Sequence, residues 1–316
     1  MSNFFELIGN ELRKIFVQKS FITSLVILLI PIIVLGRWDF VEKEFGASKE
    51  ANWKEELRID NERIEKELKS ADISEPPDQQ IEKYEMNKYR IQHNISPNQQ
   101  HSVIDFMNKG AAITNFIGII LLYFASSMMS KEHQWKTINF LLVKPSTRRM
   151  IYYAKFMSLT ILYFIFSLAI IIYSFVIGCA LNGFDFSTLP VLTYANHHVI
   201  ENSVFSSLLY NYVINVLPFL LFVSIAYSFS TILKSSSVSL LISIVLFATS
   251  DPIAALLSSK SWSKYLPFMH TDLTVYVQGI NIVNDMHIGF SIVMLLLYTA
   301  LFLIGAGEVF KKRDVV

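Results

Sequence analysis

The stretch FMSLTILYFIFSLAIIIYSFVIGCALNGF, Phe156–Phe184, decides the fold, because it runs for 29 residues without a charged side chain. A helix needs about 20 apolar residues to cross the hydrocarbon core of a bilayer. Lys155 stands directly before the stretch and Asp185 directly after it. The stretch therefore predicts a membrane-spanning helix that starts near Ile151.

Five further apolar stretches have a similar length and composition. They are Ser20–Gly36, Ala111–Ser130, Leu208–Leu233, Val238–Leu257 and Ile288–Gly307. The whole chain is 53% hydrophobic and only 17% charged, whereas about a quarter of a soluble domain is charged. We therefore predict an all-α polytopic membrane protein with six transmembrane helices, called spans one to six.

An amphipathic helix is predicted before span one, over residues 3–19. Its apolar face would hold Phe4, Phe5, Ile8, Leu12, Ile15 and Phe16, and its polar face Glu6, Asn10, Arg13 and Lys14. Such a helix lies in the membrane interface. The alternative is that it is simply the start of span one.

Residues 37–109 differ from the rest, with 12 Lys+Arg and 16 Asp+Glu. Helical patterns at 48–70 and 78–92, separated by Ser74-Glu75-Pro76-Pro77, predict a helical hairpin. We thus expect 1–36 to hold the interfacial helix and span one, 37–109 to be an extracellular insertion, and 110–316 to hold spans two to six. The last part includes a re-entrant element at 258–287, where Trp262 and Tyr265 suit interfacial depth.

The distribution of basic residues predicts the orientation. With the amino terminus in the cytoplasm, the cytoplasmic segments hold most of the basic residues near span ends, and the connections at 182–207 and 258–287 hold only Lys260 and Lys264. Segment 37–109 is long enough to cross regardless of its charge. We expect a multi-pass plasma-membrane protein of bacterial type with both termini cytoplasmic.

Known catalytic and metal motifs are absent from the sequence. There is no P-loop, no G-x-S-x-G, no H-E-x-x-H and no Cys/His cluster with metal-ligand spacing. The His197-His198 pair suits a solvated role, and Cys179 suits a small core residue. The net charge of +1 does not indicate nucleic acid. The chain is expected to be non-catalytic, without a metal or cofactor of its own.

Span four carries polar residues on one side. Asn211, Asn215 and Pro218 follow one another at i, i+4 and i+7. Asparagine in lipid normally faces other helices. This side of span four therefore faces either a partner span or a translocation path.

The loop between spans two and three, Ser130–Arg149, predicts a short amphipathic helix over residues 131–145 that Pro145 ends. Trp135, Ile138, Leu141 and Leu142 form its apolar face. Such a face suits docking into a groove of a soluble partner, or it lies on the membrane surface.

These features resemble the permease subunits of type-2 ABC exporters. The resemblance rests on Glu11-Leu12-Arg13-Lys14 before span one, on the run from Glu132 through Pro145 to Lys155, on Tyr265-Leu266-Pro267-Phe268, and on Val309-Phe310-Lys311-Lys312-Arg313-Asp314. Lys136 and Asn139 depart from the family, which has glycine and commonly an acidic residue there.

The resemblance implies that two permease subunits, as a homo- or heterodimer, each dock on an ABC ATPase subunit that binds ATP and magnesium. The 131–145 segment would be the coupling helix, with contacts from Glu132, Trp135, Thr137, Ile138, Leu141, Leu142 and Pro145. Asn211, Asn215 and Pro218 are candidates for the translocation path, and the interfacial helix would contact membrane lipid.

The expected function is therefore export of a hydrophobic or amphipathic substrate, such as an antimicrobial peptide, a drug or a lipid-like molecule. The alternative is a membrane-anchored sensor or interaction protein that uses the hairpin at 37–109. An intramembrane enzyme would need paired acids or a Ser/Lys arrangement within the spans, and the sequence offers no convincing set.

Overall fold

The computed structural model describes residues 4–46, 53–70, 78–97, 101–135, 147–195, 198–276 and 286–312. Within these ranges, six helical stretches are long and apolar enough to cross a membrane. They are Lys19–Val41, Val103–Gln134, Arg148–Asn182, Val204–Leu233, Ser236–Leu257 and Ile288–Lys312. The prediction of a mostly helical, multi-pass membrane protein is confirmed.

The chain begins with α1 (Phe4–Val17), followed by α2 (Lys19–Gly46), which contains span one. Helix α2 continues beyond the predicted end at Gly36, and Pro31 lies inside it. The amphipathic character of α1 is present, but its predicted face is partly wrong. Phe5 is 82% exposed, while Leu7 and Glu11 are buried together with Ile8 and Ile15.

Packing on span three explains this difference. Leu7 and Ile8 form a small cluster with Ile151 and Ala154 of span three. The buried face of α1 is therefore set by a neighbouring helix, and it is rotated relative to the face that hydropathy alone indicates.

Two polar helices follow, α3 (Trp53–Ser70) and α4 (Asp78–His93), and they pack side by side. The Nδ2 of Asn61 donates to the carbonyl of Tyr84, at 3.3 Å, and the Nε2 of Gln80 donates to Glu67, at 3.5 Å. Residues later in α3 thus meet residues earlier in α4, so the pair is antiparallel.

Span two consists of α5 (Val103–Gly110), a single 3₁₀ turn (Ala111–Ile113) and α6 (Thr114–Gln134). It begins earlier than the predicted Ala111. Ser102 caps α5 by accepting from the backbone N–H of Asp105, at 3.1 Å. Span three is α7 (Arg148–Asn182), capped by Thr147 and ended by Gly183 at φ 65°, where the left-handed conformation suits glycine.

A β-hairpin, absent from the all-α prediction, joins spans three and four. Strands β1 (Val191–Ala195) and β2 (His198–Asn202) pair antiparallel, with Val191 opposite Asn202. The hydroxyl of Tyr89 in α4 donates to Glu201 in β2, at 3.3 Å. The hairpin and the α3–α4 pair therefore contact each other at one end of the bundle.

Span four is broken into α8 (Val204–Val213) and α9 (Val216–Leu233). The break falls just before Pro218, which has no N–H to donate to the carbonyl of Ile214. Proline is tolerated in the first turn of a helix, where N–H groups lack intrahelical partners. Span five is α10 (Ser236–Leu257) and span six is α11 (Ile288–Lys312).

Spans two and four form the centre of the bundle, with span four packed between spans two and six. Hydroxyl groups bond the helices to one another. Ser230 donates to the carbonyl of Ser126 in span two, at 2.6 Å, and Tyr227 donates to the carbonyl of Tyr152 in span three, at 3.0 Å. Such bonds join helices where hydrophobicity alone does not.

The segment before span six contains short 3₁₀ helices at Ser261–Tyr265, Pro267–His270 and Thr274–Tyr276. His270 is fully buried there. Its Nε2 lies 2.9 Å from the carbonyl of Lys264, which can only accept, so Nε2 carries the hydrogen. Nδ1 then accepts from Ser291 of span six, at 2.7 Å, and Ser291 accepts from Tyr276, at 2.5 Å.

Candidate functional site

Four charged side chains form a closed ring at the end of the bundle that carries α1, and we call it the charge ring. The Nζ of Lys155 lies 2.7 Å from Oε2 of Glu11 and 2.5 Å from Oε1 of Glu132. The Nζ of Lys14 lies 2.7 Å from Oε1 of Glu11 and 3.5 Å from Oε1 of Glu132. Opposite charges therefore alternate around the ring, and its net charge is zero.

The charge ring joins three elements that are distant in sequence. Glu11 and Lys14 belong to α1, Glu132 to the last turn of span two, and Lys155 to the start of span three. Lys155 is 1% exposed. Removing a single partner from a buried pair leaves the other charge uncompensated and costs about 3–5 kcal/mol. The ring thus fixes how α1 and the two spans meet.

The charge ring shifts the pKa values of the two α1 side chains that belong to it, Glu11 and Lys14. Burial raises the pKa of Glu11, but the ammonium groups of Lys155 and Lys14 outweigh it and hold that pKa below its ordinary value of 4.5. Burial lowers the pKa of Lys14, but Glu11 and then Glu132 outweigh it and raise that pKa above its ordinary value. Both groups are therefore charged near neutral pH.

A second ion pair closes the same end of the bundle. Arg149 at the start of span three pairs with Glu308 near the end of span six, and the guanidinium of Arg148 donates to the carbonyl of Lys311, at 3.4 Å. Span three is thus bonded to α1, span two and span six within its first turns.

The predicted coupling residues lie partly within this region. Glu132 belongs to the charge ring, and Trp135, the last described residue of the segment, is 70% exposed. The remaining residues, Thr137, Ile138, Leu141, Leu142 and Pro145, lie outside the described residues.

The three predicted path residues, Asn211, Asn215 and Pro218, line one cavity, which we call the asparagine cavity. Its volume is 540 Å³. Its polar wall comes from Asn108, Lys109, Thr114, Asn115, Asn211, Asn215, Ser250, Asp251, Thr271, Asp272 and Thr274, and its apolar wall from Ala111, Ala112, Pro218, Phe219, Phe222, Phe247 and Ala248. Spans two, four and five and the 3₁₀ segment therefore meet around it.

The asparagine amides are held by the protein itself. The Nδ2 of Asn211 donates to Oδ1 of Asn108, at 3.3 Å, and the Nδ2 of Asn215 donates to the carbonyl of Asn211, at 2.8 Å. Asn211 lies in the last turn of α8, and Asn215 lies directly before α9. Their spacing is thus used both to bond span four to span two and to line the cavity.

Sequence reasoning missed the roles of Glu11 and Lys155 in the ring and of Asp272 in the cavity. A signal for Glu11 existed, because it follows Ile8 by three positions and precedes Ile15 by four, so it lies on a buried face. Lys155 is the last charge before a long uncharged stretch. For Asp272 we find no signal in its own segment.

The described part of the chain has no group of three His, Cys, Asp or Glu side chains placed to hold a metal ion.

Comparison with known proteins places the chain in a family. It belongs to DUF2705, described as "Protein of unknown function", which matches residues 80–316. The chain is 29% identical over 313 residues to "Uncharacterized protein YhcI" of Bacillus subtilis (strain 168), with 98% of each chain covered. It is 23% identical over 224 residues to "Uncharacterized membrane protein YdbK" of the same organism, with 70% of this chain and 87% of that protein covered.

Proposed function

We propose that this member of the DUF2705 family is the membrane-spanning subunit of an ATP-driven exporter, which moves a hydrophobic or amphipathic substrate across a bacterial plasma membrane. ATP and magnesium would be bound by a separate ATPase subunit. This chain would supply the path, as a dimer with a second permease subunit, and both termini would lie on the ATPase side.

The charge ring is the observation that carries this proposal. Glu132 belongs to the 131–145 segment predicted to contact the ATPase, three residues before Trp135, and it is bonded to Lys155 of span three. A displacement of that segment would therefore pull on span three and, through Glu11, on α1. A loop that only connected two spans would need no such attachment.

The exposed ring of Trp135 supports the same interpretation. Tryptophan is enriched where proteins bind each other, because it supplies a large rigid contact area. Here it stands beside the charge ring, 70% exposed, at the end of span two. A partner that covered Trp135 would thus press on an element that is rigidly bonded to the bundle.

The asparagine cavity supports the substrate class. Its lining combines polar side chains with three phenylalanine rings, of which Phe222 is only 2% exposed. A molecule with one polar and one apolar end can contact both kinds of side chain in this lining.

Coexpression with an ABC ATPase encoded beside this chain tests the proposal. We expect the wild-type chain to copurify with the ATPase and to stimulate its activity in detergent or nanodiscs. Trp135→Ala and Leu141→Asp should weaken copurification, since each removes an apolar contact. Lys155→Met should keep some copurification but lose stimulation, because the segment would be detached from span three.

Lys312→Met is the matched control, since Lys312 is an exposed lysine at the end of span six. It should behave like the wild type. If no ATPase copurifies, or if Trp135→Ala, Leu141→Asp and Lys155→Met all match the control, the exporter proposal is wrong.

A sensor or interaction protein is the second candidate, and one observation favours it. Helices α3 and α4 form an antiparallel pair that contacts the β-hairpin through Tyr89 and Glu201. A ligand bound by this pair could act on spans three and four, which the hairpin joins. This function predicts no ATPase partner, so the same coexpression experiment separates the two candidates.

A further inference from the structure

The carboxylates that line the asparagine cavity have no basic partner among the residues that the structure describes. Asp251 lies near the end of span five and Asp272 lies in the 3₁₀ segment, and both are exposed. Among the described residues, no Lys, Arg or His nitrogen lies within 4.0 Å of either carboxylate, although such pairs occur elsewhere in the molecule. Two negative charges therefore face the cavity.

The lysine in the cavity wall does not offset them. The Nζ of Lys109 lies 2.5 Å from Asp39 and 3.3 Å from Asp105. Its charge is thus already balanced by two carboxylates of spans one and two. The electrostatic potential of the cavity is set by Asp251 and Asp272, and it favours cations.

Several acceptor oxygens in the cavity lining have no donor among the described residues. The amide nitrogens of Asn211 and Asn215 are bonded within the protein, whereas neither Oδ1 accepts a hydrogen bond from the described residues. Of Asp272, Oδ1 accepts from the backbone and hydroxyl of Thr274, and Oδ2 faces no described donor. A ligand with N–H donors would satisfy these oxygens.

The lining of the cavity also contains aromatic rings. Phe247 lies 5.1 Å from Phe222 and 6.1 Å from Phe219, measured between ring centroids. Such a group of rings binds flat or extended apolar surface. The cavity lining therefore combines two carboxylates and amide acceptor oxygens with aromatic rings.

From this arrangement we infer that the asparagine cavity binds amphipathic cations that carry N–H donors, such as substituted ammonium or guanidinium compounds. The cationic group contacts Asp251 and Asp272, and the apolar part contacts Phe219 and Phe247. Naming these compounds as the exported substrate rests on the proposed function, whereas their binding to the cavity does not.

Dye binding to the full chain in nanodiscs, without any ATPase, tests the inference. Rhodamine 6G is a cation with two N–H donors, and rhodamine B has the same ring system with a free carboxylate and no N–H donor. Fluorescence anisotropy, corrected with empty nanodiscs, would give both affinities. We expect rhodamine 6G to bind at least about tenfold tighter than rhodamine B, since charge-assisted bonds are the strong ones.

Charge-neutral variants locate the site. The double variant Asp251→Asn/Asp272→Asn should weaken rhodamine 6G binding by about tenfold or more, and Phe247→Ala should weaken the binding of both dyes. Glu56→Gln, which neutralises an exposed carboxylate on α3, should bind as the wild type does.

Equal affinities for the two dyes, or an unchanged affinity of the double variant, would overturn the inference. Because no ATPase is present, a failure of the exporter proposal would leave these results unaffected. Conversely, ATPase stimulation without preferential binding of the cation would leave the exporter proposal standing and remove the cation assignment.

Discussion

The charge ring and the asparagine cavity place ionised side chains in opposite situations. In the ring, two lysines and two glutamates pair with one another and sum to zero. In the cavity, Asp251 and Asp272 are exposed, and no described basic side chain pairs with them. Within one chain, paired charges hold helices together, and unpaired charges face open space.

This contrast suggests a practical rule for polytopic membrane proteins. A buried charge is costly, so it persists only where partners compensate it. An acid at a span end that meets no such partner contributes little to packing and is free to meet a ligand. The two sites should therefore respond differently to neutralisation: the ring should lose stability, and the cavity should lose binding.

The largest expected effect comes from breaking the ring. Lys155→Met leaves Lys14, whose side chain is 50% exposed, as the remaining lysine of the ring. We expect the free energy of unfolding to fall by roughly 3 kcal/mol, the lower end for a buried pair that loses one partner. Chemical denaturation in nanodiscs measures this loss, and hydrogen exchange should show that α1 is less protected.

A double variant sharpens the interpretation. Glu11→Gln/Lys155→Met removes one charge of each sign and keeps the Lys14–Glu132 pair. It should be less damaging than Lys155→Met alone, because coupled residues are not additive. If the single variant is as stable as Lys312→Met, the ring does not hold α1 in place.

A smaller effect is expected from the aromatic wall of the cavity. A Cβ added at Gly118 would lie 2.6 Å from Cε1 of Phe219 and 3.2 Å from Cζ of Phe247. Gly118→Ala therefore displaces the Phe219 ring, and overpacking of this kind costs about 1–3 kcal/mol. Thermal unfolding measures the cost, and rhodamine 6G affinity should fall as the ring moves into the cavity.

Gly305→Ala provides the matched control for this substitution. Gly305 also lies in a span, but nothing lies within 4 Å of the Cβ that would be added there. It should leave stability and dye binding unchanged or slightly improve stability, since alanine favours helix. Equal effects of the two substitutions would show that Phe219 can move freely.

The spans were predictable from the sequence because apolar length is a local property. Span five was expected at Val238–Leu257 and begins at Ser236. The buried face of α1 was not predictable in the same way. Contact with Ile151 and Ala154, far along the chain, determines which side chains are buried, and Phe5 is exposed. The β-hairpin was missed since β2 is largely exposed and short, so it lacks an apolar alternation.

The same distinction applies to the sites. Asn211, Asn215 and Pro218 could be grouped in advance because helical spacing alone places them on one side. The members of the charge ring could not be grouped in advance, since Lys155 and Glu11 are 144 positions apart in the sequence. Long-range charge pairs depend on how helices dock, and composition and periodicity do not determine that.

The smallest expected effect is the pH dependence, and it separates the ring from the 3₁₀ segment. Burial lowers the pKa of His270 below its ordinary value of 6.5, although its bond to the carbonyl of Lys264 partly offsets this. The folded protein thus binds a proton there less readily than the unfolded chain, so stability falls as pH drops below 6.5 and through the lower folded pKa.

Protonation of Glu11 also lowers the stability of the folded protein, but it does so at a lower pH than protonation of His270. Its folded pKa lies below 4.5, so its contribution is complete above 4.5 and is lost as pH falls through the folded value. Between pH 6.5 and 5 we expect hydrogen exchange to increase in residues 261–276 while α1 stays protected, and His270→Gln should abolish that increase. Loosening of α1 in this range would contradict the assignment for Glu11, because the ring would then be failing at a pH where Glu11 remains ionised, and unchanged exchange in 261–276 would contradict the assignment for His270.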